Sequence, residues 1–185
     1  MKKLKIAFLV LISIFVSSCL TVEKKNYKFE FTSSNSGKLT ITYINIFSQM
    51  DDSVDVSEND YDELINDYIV GTKIEDAYPL AFNVQKRLYE YDGKLNAEVT
   101  MEFNTIDAVR LYKFSKKSPI AFNLSQTIDS ETFESTNGTL ANADYMNVIF
   151  WNPKTKVLEV TTKVSEFTED DCFSLVKQYR SSKGN

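Results

Sequence analysis

No histidine occurs among the 185 residues, and that absence excludes more chemistry than any residue present suggests. Histidine is the commonest general base, the commonest zinc ligand and the usual switch near neutral pH. Without it, serine–histidine and cysteine–histidine nucleophile pairs cannot be assembled. Glycine is scarce as well. Gly37, Gly71, Gly93, Gly138 and Gly184 are the only five, and each stands where a turn, a helix stop or the tail needs it. None is left for a phosphate-cradling loop, so no nucleotide or dinucleotide site is expected. Positive charge is also in short supply: 21 basic residues face 26 acidic ones, a net charge of −5, which speaks against nucleic acid as a partner. Long apolar runs are missing after the first twenty residues; Val148-Ile149-Phe150-Trp151 is the longest strongly apolar stretch there.

Those first twenty residues are the most informative part of the chain. Lys2, Lys3 and Lys5 make a basic start, Ile6 to Val16 an apolar run broken by Ser13, and Ser17-Ser18 a small-residue exit before Cys19. This is the three-part pattern of an export signal, too short in its apolar part to span a bilayer. Val16-Ser17-Ser18-Cys19 resembles the lipobox of bacterial lipoproteins. The resemblance implies cleavage before Cys19, a diacylglyceryl thioether on its sulfur, and attachment to a membrane through the fatty-acyl chains. Because one chain binds only marginally, two or three are what make such attachment durable. Leu20 follows the cysteine where an aspartate would retain an enterobacterial lipoprotein at the inner membrane, so the outer membrane is the expected location. The size of the remaining domain and its richness in Asn, Lys and Ile resemble the small lipoproteins of spirochaetes and similar bacteria. With Lys2, Lys3 and Lys5 removed, 18 basic residues remain against 26 acidic ones, a formal charge of about −8. Lipid on Cys19 would leave Cys172 without a partner in the chain, which excludes a disulfide scaffold.

Three segments are expected: a signal peptide over 1–18, a short lipidated tether over 19–26, and one domain over 27–185. Tyr27, Phe29 and Phe31 alternate with polar residues, as do Leu39, Ile41 and Tyr43 beyond a turn at 33–38, which predicts a hairpin. Ser57 and Asp60 fit a capping-box spacing, and Tyr61, Leu64, Ile65, Tyr68 and Ile69 mark one face of a helix over about 58–70 that stops at Gly71. Asp92-Gly93 predicts a two-residue type I′ turn that sets Arg87 opposite Glu98 and Leu88 opposite Ala97. A helical turn is expected over 105–110 and a strand over 120–124. Asn137-Gly138 and Asn152-Pro153-Lys154-Thr155 read as two further hairpin turns. Cys172, Leu175, Val176 and Tyr179 share one face of a final helix over about 169–180. The order predicts an α+β fold: an antiparallel sheet built of hairpins, with the two helices packed on one face.

No catalytic residue, metal site or cofactor is expected. The acidic run Asp51, Asp52, Asp55, Glu58 and Asp60 starts no calcium-loop pattern, because the sixth position from Asp51 is Val56 rather than glycine. Cys172, flanked by apolar helix positions and preceded by three acids, reads as a buried cysteine rather than an activated thiol. Arg87, Tyr89 and Tyr91 share the side of their hairpin opposite Leu88, and form a candidate binding face if it is open to solvent. The expected function is a non-catalytic binding or interaction domain at the cell envelope, with an envelope or host protein as partner. The alternative is an assembly accessory that docks on an envelope complex. Binding predicts an apolar cavity between sheet and helices, docking a flat apolar patch, and an enzyme convergent carboxylates or a buried lysine with a shifted pKa.

Overall fold

The computed structural model describes residues 19–126, 131–141 and 146–184. The signal segment 1–18 lies outside the described residues, as does Tyr145, the first residue of the strand that the sequence predicts from Tyr145 to Trp151. Alternating apolar residues drive two long hairpins, β1 (Leu20–Phe31) with β2 (Gly37–Gln49), and β3 (Phe82–Tyr91) with β4 (Lys94–Phe103). Shorter strands follow: β5 (Leu111–Tyr112), β6 (Ile120–Asn123), β7 (Thr132–Thr136), β8 (Thr139–Leu140), β9 (Val148–Trp151), β10 (Val157–Lys163) and β11 (Cys172–Ser174). The helices are α1 (Ser57–Glu63), α2 (Lys73–Ala77) and α3 (Val176–Lys183), with a 3₁₀ turn at Ile106–Val109.

Among the described residues, the strands form two antiparallel sheets. The larger runs β3-β4-β2-β1-β10-β7, with β11 pairing the end of β2, and the smaller runs β5-β6-β9-β8. Tyr27, Phe29, Leu39, Ile41, Val99, Met101, Leu158 and Val160 fill one face of the large sheet. Their neighbours Lys28, Glu30, Thr40, Thr42, Glu98, Thr100, Glu159 and Thr161 form a polar outer face. The small sheet covers one end of the inner face. There Phe122 meets Tyr27 and Phe29 with ring centroids 5.4 and 5.7 Å apart and adds edge-on aromatic attraction to area burial. The helices cover the other end: Tyr61 and Leu64 pack with Leu175, Val176 and Tyr179 over Val22, Ile46, Leu95 and Ala97. On β4, Leu95 and Ala97 continue the row of Val99 and Met101, so helices and small sheet share the same side. The α+β class and the antiparallel hairpins follow the expectation.

The Asp92-Gly93 turn has φ of 51° and 70°, both left-handed, and sets Arg87 opposite Glu98 and Leu88 opposite Ala97 as its sequence predicts. Elsewhere the sequence misleads. Residues 20–26 are not a tether: β1 begins at Leu20 and pairs with β2 from there on, and both Val22 and Lys25 are buried. The capping box does not form. Val56 is the N-cap, and Asp60 turns inward to accept a hydrogen bond from the Ser48 hydroxyl at 2.6 Å. α1 continues from Leu64 to Ile69 as a π-helical turn, in which the Val70 N–H reaches the Ile65 carbonyl at 2.8 Å. The final helix begins at Val176 rather than 169, because Cys172–Ser174 is taken as β11 by the free edge of β2. Asn137-Gly138 and residues 152–155 are not hairpin turns, since β7 and β10 lie in the large sheet and β8 and β9 in the small one. Both segments carry the chain between sheets. Asn137 holds the corner: its Oδ1 accepts from the Trp151 indole at 2.7 Å and the Glu159 N–H at 2.9 Å. A Cβ on Gly138 would lie 2.5 Å from that indole nitrogen, which explains the glycine without any turn.

Candidate functional site

Between the helical layer and the large sheet lies an apolar cavity of about 100 Å³. Its floor is Val22 of β1, Ile46 of β2, and Ala97 and Val99 of β4. Its roof is Leu64, Tyr68 and Ile69 of the π-helical turn with Ile74 of α2, and Leu20 and Thr21 close one side. The roof owes its shape to the π turn. Five-residue hydrogen bonding widens the helix and redirects Tyr68 and Ile69, and such segments recur at binding sites. An engineered cavity of about 150 Å³ accepts benzene, so this one suits a group of roughly four carbon-sized atoms.

At the floor the cavity meets a buried polar cluster. Lys25, inward on β1 beside Tyr27, forms an ion pair with Glu131 at 3.1 Å, with side chains only 5 % and 0 % exposed. The Tyr27 hydroxyl donates to Glu131 Oε1 at 2.7 Å and the Thr162 hydroxyl to Oε2 at 2.6 Å. Lys25 Nζ also lies 5.5 Å from the centre of the Tyr43 ring, and both residues line the cavity. Burial, with Glu131 beside it, holds the Tyr27 phenol far above its ordinary pKa, and burial raises Tyr78 as well. Both remain hydrogen-bond donors at any physiological pH. The cavity is therefore an apolar chamber with a cation and an aromatic face at one wall.

The residues singled out from sequence lie elsewhere. Arg87, Tyr89 and Tyr91 share the outer face of β3. The Arg87 guanidinium lies 4.6 Å from the centre of the Tyr89 ring and pairs with Glu98 at 3.0 Å, while Tyr91, 73 % exposed, stands apart at the hairpin end. They do not line the cavity. Cys172 is buried beneath Thr168 and the Glu166 carbonyl. Cys19 opens the large sheet: its carbonyl accepts the Gln49 N–H at 2.9 Å. Burial, Asp60 and Asp51 raise its thiol above the ordinary range. A wider polar cleft beside the Asp92-Gly93 turn is lined by Glu23, Lys94 and Asn45, and the Glu23 carboxylate accepts from the other two. Among the described residues, no group of acids and cysteines is placed to hold a metal ion, and no helix is long and apolar enough to cross a membrane.

Comparison of the chain with protein-family models, curated proteins and solved structures finds no match in any of the three. The cavity and its cluster thus have to be read on their own geometry. Sequence reasoning named a cavity between sheet and helices but neither its place nor the polar cluster, because it began the first strand at Tyr27 rather than Leu20. The signal was present: Lys25 has the parity of Tyr27 and Phe29, and a lysine at an inward strand position requires a buried partner.

Proposed function

We propose that the chain is a bacterial lipoprotein, cut before Cys19 and held at the outer membrane by lipid on that residue, whose domain is a non-catalytic binding module. The carrying observation is the apolar cavity between sheet and helices, which begins one residue after the anchor at Leu20. Its proposed ligand is a compound with a short apolar group that enters the chamber, while a polar end remains toward Lys25 and Tyr43. Among the described residues, the outer face of β1, β2, β4 and β10 carries threonines and charged pairs, which favours the cavity over docking on that face. Lys25 is held in its ion pair by a carboxylate whose two oxygens accept from three side chains, an arrangement suited to fixing the strands rather than moving protons.

The test is a titration with straight-chain alcohols of about three to six carbons, followed through methyl NMR signals of Ile46, Leu64, Ile69 and Ile74. Shifts confined to these methyls, saturating and lost when Ala97→Leu fills the chamber, support the reading. Signals that do not move, or shifts spread over exposed methyls, overturn it.

A further inference from the structure

The segment that reads as a tether is bonded into the domain from its first residue, and one buried carboxylate stands over that point. Cys19 is fixed by the Gln49 N–H on its carbonyl, and Leu20 lies opposite Ser48 in the β1–β2 register. Ser48, itself 0 % exposed, donates its hydroxyl proton to Asp60 Oδ2 at 2.6 Å. Asp60 also accepts a hydrogen bond from the backbone N–H of Cys19. It is 5 % exposed, yet no lysine or arginine of the described residues forms a salt bridge with it. The charged groups facing it, Glu63 and Asp51, are acidic. A carboxylate taken out of water among other acids, with only neutral donors, is costly. In the uncut chain, burial accordingly holds the Asp60 carboxyl above its ordinary range.

We infer that Asp60, with Ser48 beside it, is the receptor for the α-amino group created when the chain is cut before Cys19. The inference rests on the lipoprotein reading. Hydrolysis of the Ser18–Cys19 amide consumes one water and leaves a carboxylate on Ser18 and an ammonium on the Cys19 nitrogen. That nitrogen already donates to Asp60, so the cut places a positive charge on the buried acid without moving the chain. Maturation turns a neutral hydrogen bond into a charge-assisted ion pair, which locks the lipid-bearing residue to α1 and to the end of β2. Acylation of the same nitrogen by a further enzyme would restore an uncharged amide and weaken the lock. The clamp therefore distinguishes a free amino terminus from an acylated one.

The experiment uses the full chain, expressed in a bacterium lacking the amino-terminal acyltransferase and extracted in detergent. Mass spectrometry reads the cut, and the α-amine is titrated by NMR in the folded protein and again in urea. With Asp60, Asp51 and Glu63 all acidic, the folded amine is expected to hold its proton at least about tenfold more tightly than in urea, a rise of about one pH unit or more. Asp60→Asn should remove most of that difference, and Ser48→Ala, which leaves every charge in place, should retain most of it. A chain cut before Cys19 whose amine titrates alike folded and unfolded overturns the clamp and leaves the lipoprotein reading intact. A chain that is not cut there overturns both.

Discussion

Replacing Glu131 by alanine tests the buried cluster beneath the cavity, where the structure sets the size of the effect. The carboxylate is fully buried and accepts from Lys25, Tyr27 and Thr162 at 3.1, 2.7 and 2.6 Å. Its removal takes the counter-charge from a buried lysine, a loss of about 3–5 kcal/mol in comparable pairs. It also takes the acceptor from the Tyr27 hydroxyl, at about 1–3 kcal/mol for a buried donor left unsatisfied. Because these losses are coupled, the total is set at about 4–6 kcal/mol, a large share of the roughly 5–15 kcal/mol by which domains are stable. For a domain of this size that is a fall in Tm of about 10–20 °C. Trp151 is the only tryptophan and is 3 % exposed, so its fluorescence reports urea unfolding directly. Glu131→Gln, which keeps an acceptor but not the charge, should fall between wild type and alanine. Lys25→Met with Glu131→Leu should recover the share due to the unpaired lysine, since an apolar pair of similar volume often replaces a buried ion pair at little cost, while the Tyr27 and Thr162 hydroxyls still lose their acceptor. An alanine variant within about 1 kcal/mol of wild type would refute the view that this pair joins β1 to the segment before β7.

Other outcomes follow from the same geometry. Cys19→Ala should abolish incorporation of labelled fatty acid; unchanged labelling would sink the anchor. Gly138→Ala places a methyl against the Trp151 indole, 2.5 Å from its nitrogen, and should cost about 1–3 kcal/mol with a shifted Trp151 emission. Gly93→Ala, at φ 70° in open space, should cost only about 1 kcal/mol, because the strain is in the backbone and nothing is struck. In an uncut Cys19→Ala chain the Asp60 carboxyl has its folded pKa raised by burial. Its contribution to stability is then greatest below the unfolded value and is lost as pH rises through the folded one. Urea melts of that chain between pH 3 and 7 should show the decline, and Asp60→Asn should flatten it.

What could be read from the chain and what could not divides on a physical line. Strands with period-two alternation and a turn of fixed chemistry were legible down to register. Arg87 opposite Glu98 follows from Asp92-Gly93 because a type I′ turn leaves no freedom in the pairing. The two crossings between sheets were not, because the chemistry that makes a hairpin turn also makes a corner. Asn137-Gly138 is adjacent to β7 and β8 whether these pair or diverge, and only the distant Trp151 and Glu159 decide. Cys172 failed for a related reason. Helical spacing in Cys172, Leu175, Val176 and Tyr179 is genuine for the last two, while the empty edge of β2 draws Cys172–Ser174 into a strand. The cavity was predicted as a kind of feature but not as a place, since its roof depends on a π turn that apolar periodicity near 3.6 does not distinguish from an α-helix.

The loss of the tether changes how the proposed anchor and cavity relate. A flexible linker of seven residues would let the domain turn freely up to roughly 25 Å from its membrane. Instead β1 starts beside the anchoring cysteine and is paired with β2 from Leu20 and with β10 from Lys24. Lipid on Cys19 would therefore fix the orientation of the whole sheet, and any pull on the anchor would load its interior strand rather than a loose end. Val22, on the cavity floor, lies three residues from the anchor, about 10 Å along a strand. If lipid on Cys19 holds the domain, the chamber would lie close enough to the bilayer for an apolar group to reach it from the membrane without a long passage through water, where a ligand that apolar would be least abundant.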